Sequence, residues 1–240
     1  MFIKQLTIGC ATAGALVLLA ACSSSGSSGT KESTKPTASP SPTVTPATKA
    51  QLSKIVLQAT DMPGWKGSPA DPDNNDNSGS DLAACVGAKN TDPDEVATSE
   101  SDDFTLGDVT VSSSASSYKS QSDLDNDVAV LKSPKLESCF EREFKTEVAT
   151  SVPSGTTLGA LSVKFTPGPG SGPANVAGTG SVAVPVTANG QQITVYTDIV
   201  FITGPLIEAE VDVESDGAPV PAQVLQAAVK AVATRAAAGG

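Results

Sequence analysis

An α+β fold, with helices packed mainly on one face of an antiparallel sheet of about five strands, is what this sequence predicts. Three observations carry that expectation. Apolar residues recur at helical spacing near both ends and in the middle of the chain. Between residues 161 and 213 the period changes to strict alternation, and Asn189-Gly190 and Gly204-Pro205 punctuate that stretch as hairpin turns.

In order, Leu52, Ile55, Val56 and Ala59 share one helical face, and Asp61-Met62-Pro63-Gly64 closes that helix with turn chemistry. Trp65 follows; a ring so placed either caps the core or lines a groove. After a polar loop over 71–81, residues 82–86 form a short helical turn carrying Cys85. A first strand over 109–117 puts Val109, Val111, Ser113 and Ala115 on one face, while its serine-rich reverse is expected to meet solvent. Residues 122–131 read as a helix capped by Ser122, with Leu124, Val128 and Leu131 along one side, and Pro134 ends it. In the next helix Leu136, Cys139, Phe140, Phe144 and Val148 recur at helical spacing. Cys139 thus lies on or beside a buried face, placed to staple its helix to the Cys85 segment.

The second half is β. Leu161, Val163 and Phe165 alternate with Ser162 and Lys164, and strands follow a Gly/Pro loop at 182–187, 192–202 and 206–213. A two-residue Asn189-Gly190 turn sets Val186 against Ile193 and Val184 against Val195. Pro185 lacks an N–H, so its strand is an edge or is bulged there. For the next hairpin, a two-residue Gly204-Pro205 loop would set Phe201 against Glu208. A three-residue Thr203-Gly204-Pro205 loop pairs Phe201 with Ile207 and Ile199 with Ala209, and is the register expected. A last helix over 221–235, striped by Val224, Leu225, Ala228 and Val232, packs on that face.

The N-terminus is laid out for export. Lys4 precedes an apolar run from Ala11 to Leu19, too short to span a bilayer, which needs roughly 20 residues. The run ends in Leu19-Ala20-Ala21-Cys22, which resembles the lipobox of bacterial lipoproteins. That resemblance implies a signal peptide over 1–21, acylation of Cys22, and a product anchored by lipid to the extracytoplasmic face of the cell membrane. Residues 22–48 are Ser, Thr, Pro, Gly, Lys and Ala with almost no large apolar side chain, a flexible tether. Its Thr43, Thr45, Pro46 and Thr48 would suit cell-wall glycosylation. Residues 49–236 then make one α+β domain, and 237–240 a disordered tail.

Four cysteines are present: Cys10 in the leader, Cys22 at the lipid site, and Cys85 and Cys139 in the body. Two body thiols in an oxidising compartment form one disulfide; a catalytic thiol would want a histidine, and the chain has none. A net charge of −11 argues against nucleic acid and against electrostatic docking on anionic lipid. The membrane is reached through the lipid.

Little in the sequence has the form of a catalytic or cofactor site. Glu208, Glu210 and Asp212 alternate with Ile207, Ala209 and Val211, the pattern of a solvated sheet face; the alternative is a cation or substrate site. The acidic loop Asp71, Asp73, Asn75, Asp76, Asn77 and Asp81 lacks the Gly and Glu positions of an EF-hand. Gly178-Thr179-Gly180-Ser181-Val182-Ala183 has dinucleotide-loop spacing but leads into a strand rather than a helix. Neither a phosphate-binding loop, a nucleophile elbow nor a zinc constellation is present, and neither a cofactor nor a metal is expected.

Lipobox, tether, the Asp61-Met62-Pro63-Gly64-Trp65 turn and the wide Cys85/Cys139 spacing look like envelope lipoproteins of mycobacteria and related actinobacteria. The body is also similar in layout to the extracellular sensor domain of the mycobacterial serine/threonine kinase H. That likeness implies an α+β domain with a ligand cleft; the kinase sensor carries two disulfides where this body has cysteines for one. The expected function is a non-catalytic binding or sensor-like module, with a small apolar ligand in a groove between helices and sheet. Alternatives are an envelope protein that binds other proteins by an exposed sheet face or edge, and an enzyme of unrecognised type. A buried carboxylate pair in a cleft would favour the last.

Overall fold

The structure, a computed structural model, describes residues 44–70, 78–151, 156–170 and 172–239. The expected leader 1–21 with Cys10, the expected lipid site Cys22, the expected tether up to Thr43, the segment from Asp71 to Asn77, the side chain of Val148 and Gly240 lie outside the described residues.

The elements run α1 (Lys49–Ile55), β1 (Lys66–Ser68), α2 (Ser78–Val86), a 3-10 turn (Asp92–Asp94), β2 (Glu95–Glu100), β3 (Asp103–Leu106), β4 (Val109–Tyr118), α3 (Gln121–Val130) and α4 (Leu136–Ser151). They continue with β5 (Thr156–Leu158), β6 (Ser162–Pro167), β7 (Val176–Ala188), β8 (Gln191–Gly204), β9 (Ile207–Asp216) and α5 (Ala222–Ala238). Among the described residues the strands form one nine-stranded antiparallel sheet, more than the five expected. Its spine is β4-β9-β8-β7; β2 and β3 share the free side of β4, β1 extends from β3, and β5 and β6 share the free side of β7.

Several helix boundaries differ from expectation: α2 begins at Ser78 rather than at residue 82, and α5 runs on to Ala238 rather than ending at 235. Val56 leaves helical geometry at ψ 163, so α1 stops at Ile55 and Leu57, not Ala59, joins the core. The cap of α3 is Ser120 rather than Ser122: its Oγ accepts the Asp123 amide at 3.3 Å. At the start of α1, the Gln51 side-chain oxygen accepts the Thr48 amide at 2.9 Å.

Helices cover both faces of the sheet, not mainly one. On the first face α1 and α5 pack over β4, β9 and β8, burying Leu52, Ile55, Val111, Ile202, Val211, Val213 and Val232. Two serines of β4 are buried there without penalty, because Ser113 Oγ accepts the Leu57 amide and Ser117 Oγ donates to the Ala47 carbonyl, each at 2.8 Å. On the second face Phe140 and Phe144 of α4 pack over Val182, Val184 and Val186 of β7 and Val195 and Ile199 of β8. The Phe140 and Phe165 rings meet edge-on at 5.3 Å. Gly180 is bare because a Cβ there would lie 2.6 Å from the Phe165 ring, which accounts for a glycine that otherwise mimics a nucleotide loop.

The Asn189-Gly190 hairpin has the expected register, Val186 opposite Ile193 and Val184 opposite Val195, with both turn residues at positive φ (52 and 76). Pro185 is neither at an edge nor at a bulge. It faces the break between β5 and β6, where its carbonyl accepts the Gly159 amide at 2.6 Å and no partner needs its missing N–H.

The β8–β9 register corrects the expectation. The loop is the two-residue Pro205-Leu206, so Gly204 faces Ile207, Ile202 faces Ala209, Val200 faces Val211, and Phe201 faces Glu210. The reason is the second core. Ile199 and Phe201 do not belong with Ile207 and Ala209, since β8 is apolar on both faces and supplies each core with its own pair.

Candidate ligand cavity

With that register, every even-numbered acid from Glu208 to Asp216 projects from β9 onto the second face. Their neighbours on β4 are Ser116, Ser114, Ser112 and Thr110; on β8 they are Thr203, Phe201, Ile199 and Thr197. The sheet there is polar on the β4 side and apolar on the β8 side. Over this seam lie α3, α4, Leu82 and Ala83 of α2 and the loop before the 3-10 turn.

They leave a cavity of about 100 Å³. Leu131, Leu136, Phe140, Phe165, Ile199 and Phe201 form its apolar wall, while Glu208 and Glu210 form its floor, faced by Asp127 and Asp92. The serine face of β4 and the β9 acids from Glu208 to Glu214 are therefore not the solvated surface expected from alternation; they are half-buried, and only Asp216 at the strand end is exposed. Glu208 Oε2 and Glu210 Oε1 are shut off from solvent and have no hydrogen-bond partner.

The covering layer is held by named contacts. Asp127 Oδ2 accepts from the Tyr118 hydroxyl at 2.9 Å and Oδ1 accepts from Thr91 Oγ1, which fixes α3 to β4 and to the loop. Lys119 donates to the Pro93 carbonyl at 2.7 Å, and Lys89 pairs with Asp94 and Asp123 on the rim. Both lysines are more than half exposed and engaged outside the cavity. Cys85 and Cys139 are bonded, with Cα atoms 5.8 Å apart, as the sequence predicts. The bond joins α2 to α4 one turn from Leu82 and Ala83 on one wall and beside Phe140 on the other.

Uncompensated burial governs the protonation of these groups. Burial first, and then the charge and hydrogen bond of Asp127, push the Glu208 carboxyl well above the usual range. Burial and then Asp212 do the same to Glu210. Asp212 is raised to about 6 by burial, opposed by the hydrogen bond it receives from Glu210, so the proton of that pair resides on Glu210. Glu214 is raised to about 7 by burial and by Asp216, Asp212 and Asp103. Asp92 is raised by burial and by Asp127. The floor is thus a row of carboxyls that hold protons where a free carboxylate would not, and none of the residues lining the cavity is basic.

Trp65, named from sequence as a possible groove residue, packs beside the first core and is not among the residues lining the cavity. Sequence reasoning named the floor acids but took them for a solvated face, because their cover comes from helices far away in the chain. One signal was available: the apolar faces of five helical segments are more than one sheet face can cover.

Among the described residues no helix is long and apolar enough to cross a membrane, and no cluster of three or more metal-ligating side chains is present. No protein-family model and no curated protein matches the chain. Among solved structures the chain is similar to the extracellular domain of PknH from Mycobacterium tuberculosis, at 13% identity and a TM-score of 0.37, over 80% of this chain and 97% of that one.

Proposed function

We propose that this chain is an extracytoplasmic, membrane-anchored binding module that captures a small ligand in the cavity between α2, α3, α4 and the sheet. The anchor is the lipid on Cys22 that the Leu19-Ala20-Ala21-Cys22 segment implies. The observation that carries the binding reading is one concave site with an aromatic and aliphatic wall and convergent polar groups at its floor. The engineered cavity of about 150 Å³ that accepts benzene sets the scale, so this one admits a ligand, or part of one, of a few heavy atoms.

Native mass spectrometry of the chain taken from its own envelope tests this. One small molecule per chain is expected, and it is lost in Val130→Phe, which fills the cavity from α3. A chain of bare mass under conditions that preserve non-covalent complexes counts against binding. Processing is read in the same spectrum: diacylglyceryl and acyl mass on Cys22 is expected, and an unmodified thiol removes the anchor.

A second reading has a specific observation behind it, since two buried carboxyls in a cleft are the machinery of acid–base hydrolysis. Such chemistry needs one group protonated and its partner ionised. Burial pushes Glu208 and Glu210 in the same direction, and Asp212, which takes the hydrogen bond of Glu210, is not among the residues lining the cavity, which favours binding. Recovery of the ligand chemically unchanged after prolonged incubation supports the module; its conversion, abolished by Glu208→Gln, supports the enzyme.

A further inference from the structure

Resting on the binding reading of this same cavity, we infer that its ligand is a small organic cation, an alkyl- or aryl-substituted ammonium whose charged head sits on Glu208 and Glu210 while its apolar body lies against Phe140, Phe165 and Phe201.

Four carboxyl groups line the cavity, Asp92, Asp127, Glu208 and Glu210, and no lining residue carries a positive charge. Lys89, beside the lining residue Asn90, is paired with Asp94 and Asp123, and Lys119 donates to the Pro93 carbonyl; neither these nor Lys132, Lys135 and Lys164, which adjoin lining residues in sequence, line the cavity themselves. Carboxyl oxygens without partners inside a protein are costly, and Glu208 Oε2 and Glu210 Oε1 are such oxygens. They are an observation separate from the acidity of the cluster: two acceptors are enclosed and unsatisfied on the floor of a cavity whose aliphatic and aromatic wall offers them no donor. A bare metal ion does not answer this geometry, because the aromatic half of the wall would have no role and no three ligating groups converge among the described residues. A neutral alcohol has one hydroxyl proton and satisfies one oxygen. An anion brings further acceptors and no donor. An ammonium head carries enough donors for both acceptors, its charge lets a carboxyl beside it ionise, and the faces of the neighbouring rings also favour a cation. The acidic chain as a whole, at −11, draws cations and repels anions on approach.

The step is balanced in protons. The carboxyl that meets the ammonium ionises, its proton passes to the buffer, and the ligand keeps its own. Binding heat should therefore vary with the ionisation heat of the buffer in the sense of proton release, by up to one proton per site.

Isothermal titration of the full-length chain, with the Cys85–Cys139 bond intact, uses three probes of one shape: n-butylammonium, n-butanol and butanoate. At pH 7, n-butylammonium is expected to bind at least tenfold more tightly than n-butanol, and butanoate not to bind. In the doubly substituted Glu208→Gln, Glu210→Gln chain the preference for the cation disappears while n-butanol still binds. Removing buried acidity should raise that variant's melting temperature, so loss of preference is not loss of fold. Equal or tighter binding of n-butanol or butanoate by the native chain overturns the cation assignment and leaves the cavity reading standing. Failure of all three probes to bind overturns the cavity reading itself.

Discussion

Arg235, in the last turn of α5, straddles Asp61 in the turn after α1: Nη1 lies 3.1 Å from Oδ1 and Nη2 2.9 Å from Oδ2. The same guanidinium donates from Nε to the Ile55 carbonyl at 3.0 Å and from Nη2 to the Val56 carbonyl at 3.1 Å. One side chain thus satisfies the carbonyls left open where α1 ends and ties the first helix to the last. Burial by itself would raise the Asp61 carboxyl, but the bonds from Arg235 and from the Gln58 amide outweigh it and hold the group below its usual value.

Replacing Arg235 by alanine is expected to destabilise the fold by about 1–3 kcal/mol, and lysine should recover little of it, since an ammonium cannot make the forked contact. Urea unfolding at pH 7 measures the difference. Because the Asp61 carboxyl is depressed in the folded state, its contribution is present above the unfolded value near 3.8 and is lost as pH falls below it. An Arg235→Ala chain with an unchanged midpoint would remove the helix-to-helix tie.

The acids of β9 have the opposite sign. Their folded values are raised, so the stability they allow is fully present below the unfolded values near 4 and declines as pH climbs through about 6 for Asp212 and about 7 for Glu214. Melting temperature is expected to fall between pH 4.5 and 7.5. Moving Glu214 from 4.5 to about 7 corresponds to ~3 kcal/mol, an upper figure for what Glu214→Gln restores at neutral pH. At about 2–4 °C per kcal/mol for a chain of this size the gain is easily read. A flat profile across that window would show the acids to be solvated after all.

Removing the disulfide by Cys85→Ser with Cys139→Ser opens a loop 54 residues long and is expected to cost about 4 kcal/mol in the chain-entropy account. Because the bond joins two walls of the cavity, affinity for the ligand should fall by more than the unfolded fraction explains. Unfolding and binding measured on the same sample separate the two effects.

Gly204→Ala should be among the most damaging single-atom additions. A Cβ at that position would lie 2.2 Å from the Ala236 carbonyl oxygen, in backbone that cannot turn aside. Overpacking of this kind costs about 1–3 kcal/mol or more. Thermal unfolding with retained helical circular dichroism below the transition is the check; a wild-type midpoint would mean that α5 does not dock on the β8 end.

What could be read from the residues was whatever is local. Alternation located β6 to β9, Asn189-Gly190 set a register correctly, and helical spacing found α3, α4 and α5. The strands β1, β2 and β3 were not legible, because Lys66–Ser68, Glu95–Glu100 and Asp103–Leu106 are mostly polar and pair as outer strands on one side of β4. The β8–β9 register failed for a stated reason: Ile199, Val200, Phe201 and Ile202 are all apolar, so alternation gives no face, and a one-residue slip exchanges the two cores. For the cavity, Phe140 and Leu136 were recognised as helix-face residues, but burial of Glu208 and Glu210 depends on where α3 comes to rest. That placement is tertiary, fixed by Tyr118 and Thr91 meeting Asp127.

The first and last helices lie together on one side of the sheet, with Ala47 and Ala236 both buried there. A partner joined directly to the described ends of the domain therefore starts from the α1 and α5 layer, opposite the layer that covers the cavity. Immobilising the protein by a terminus should leave its capacity for small molecules undiminished.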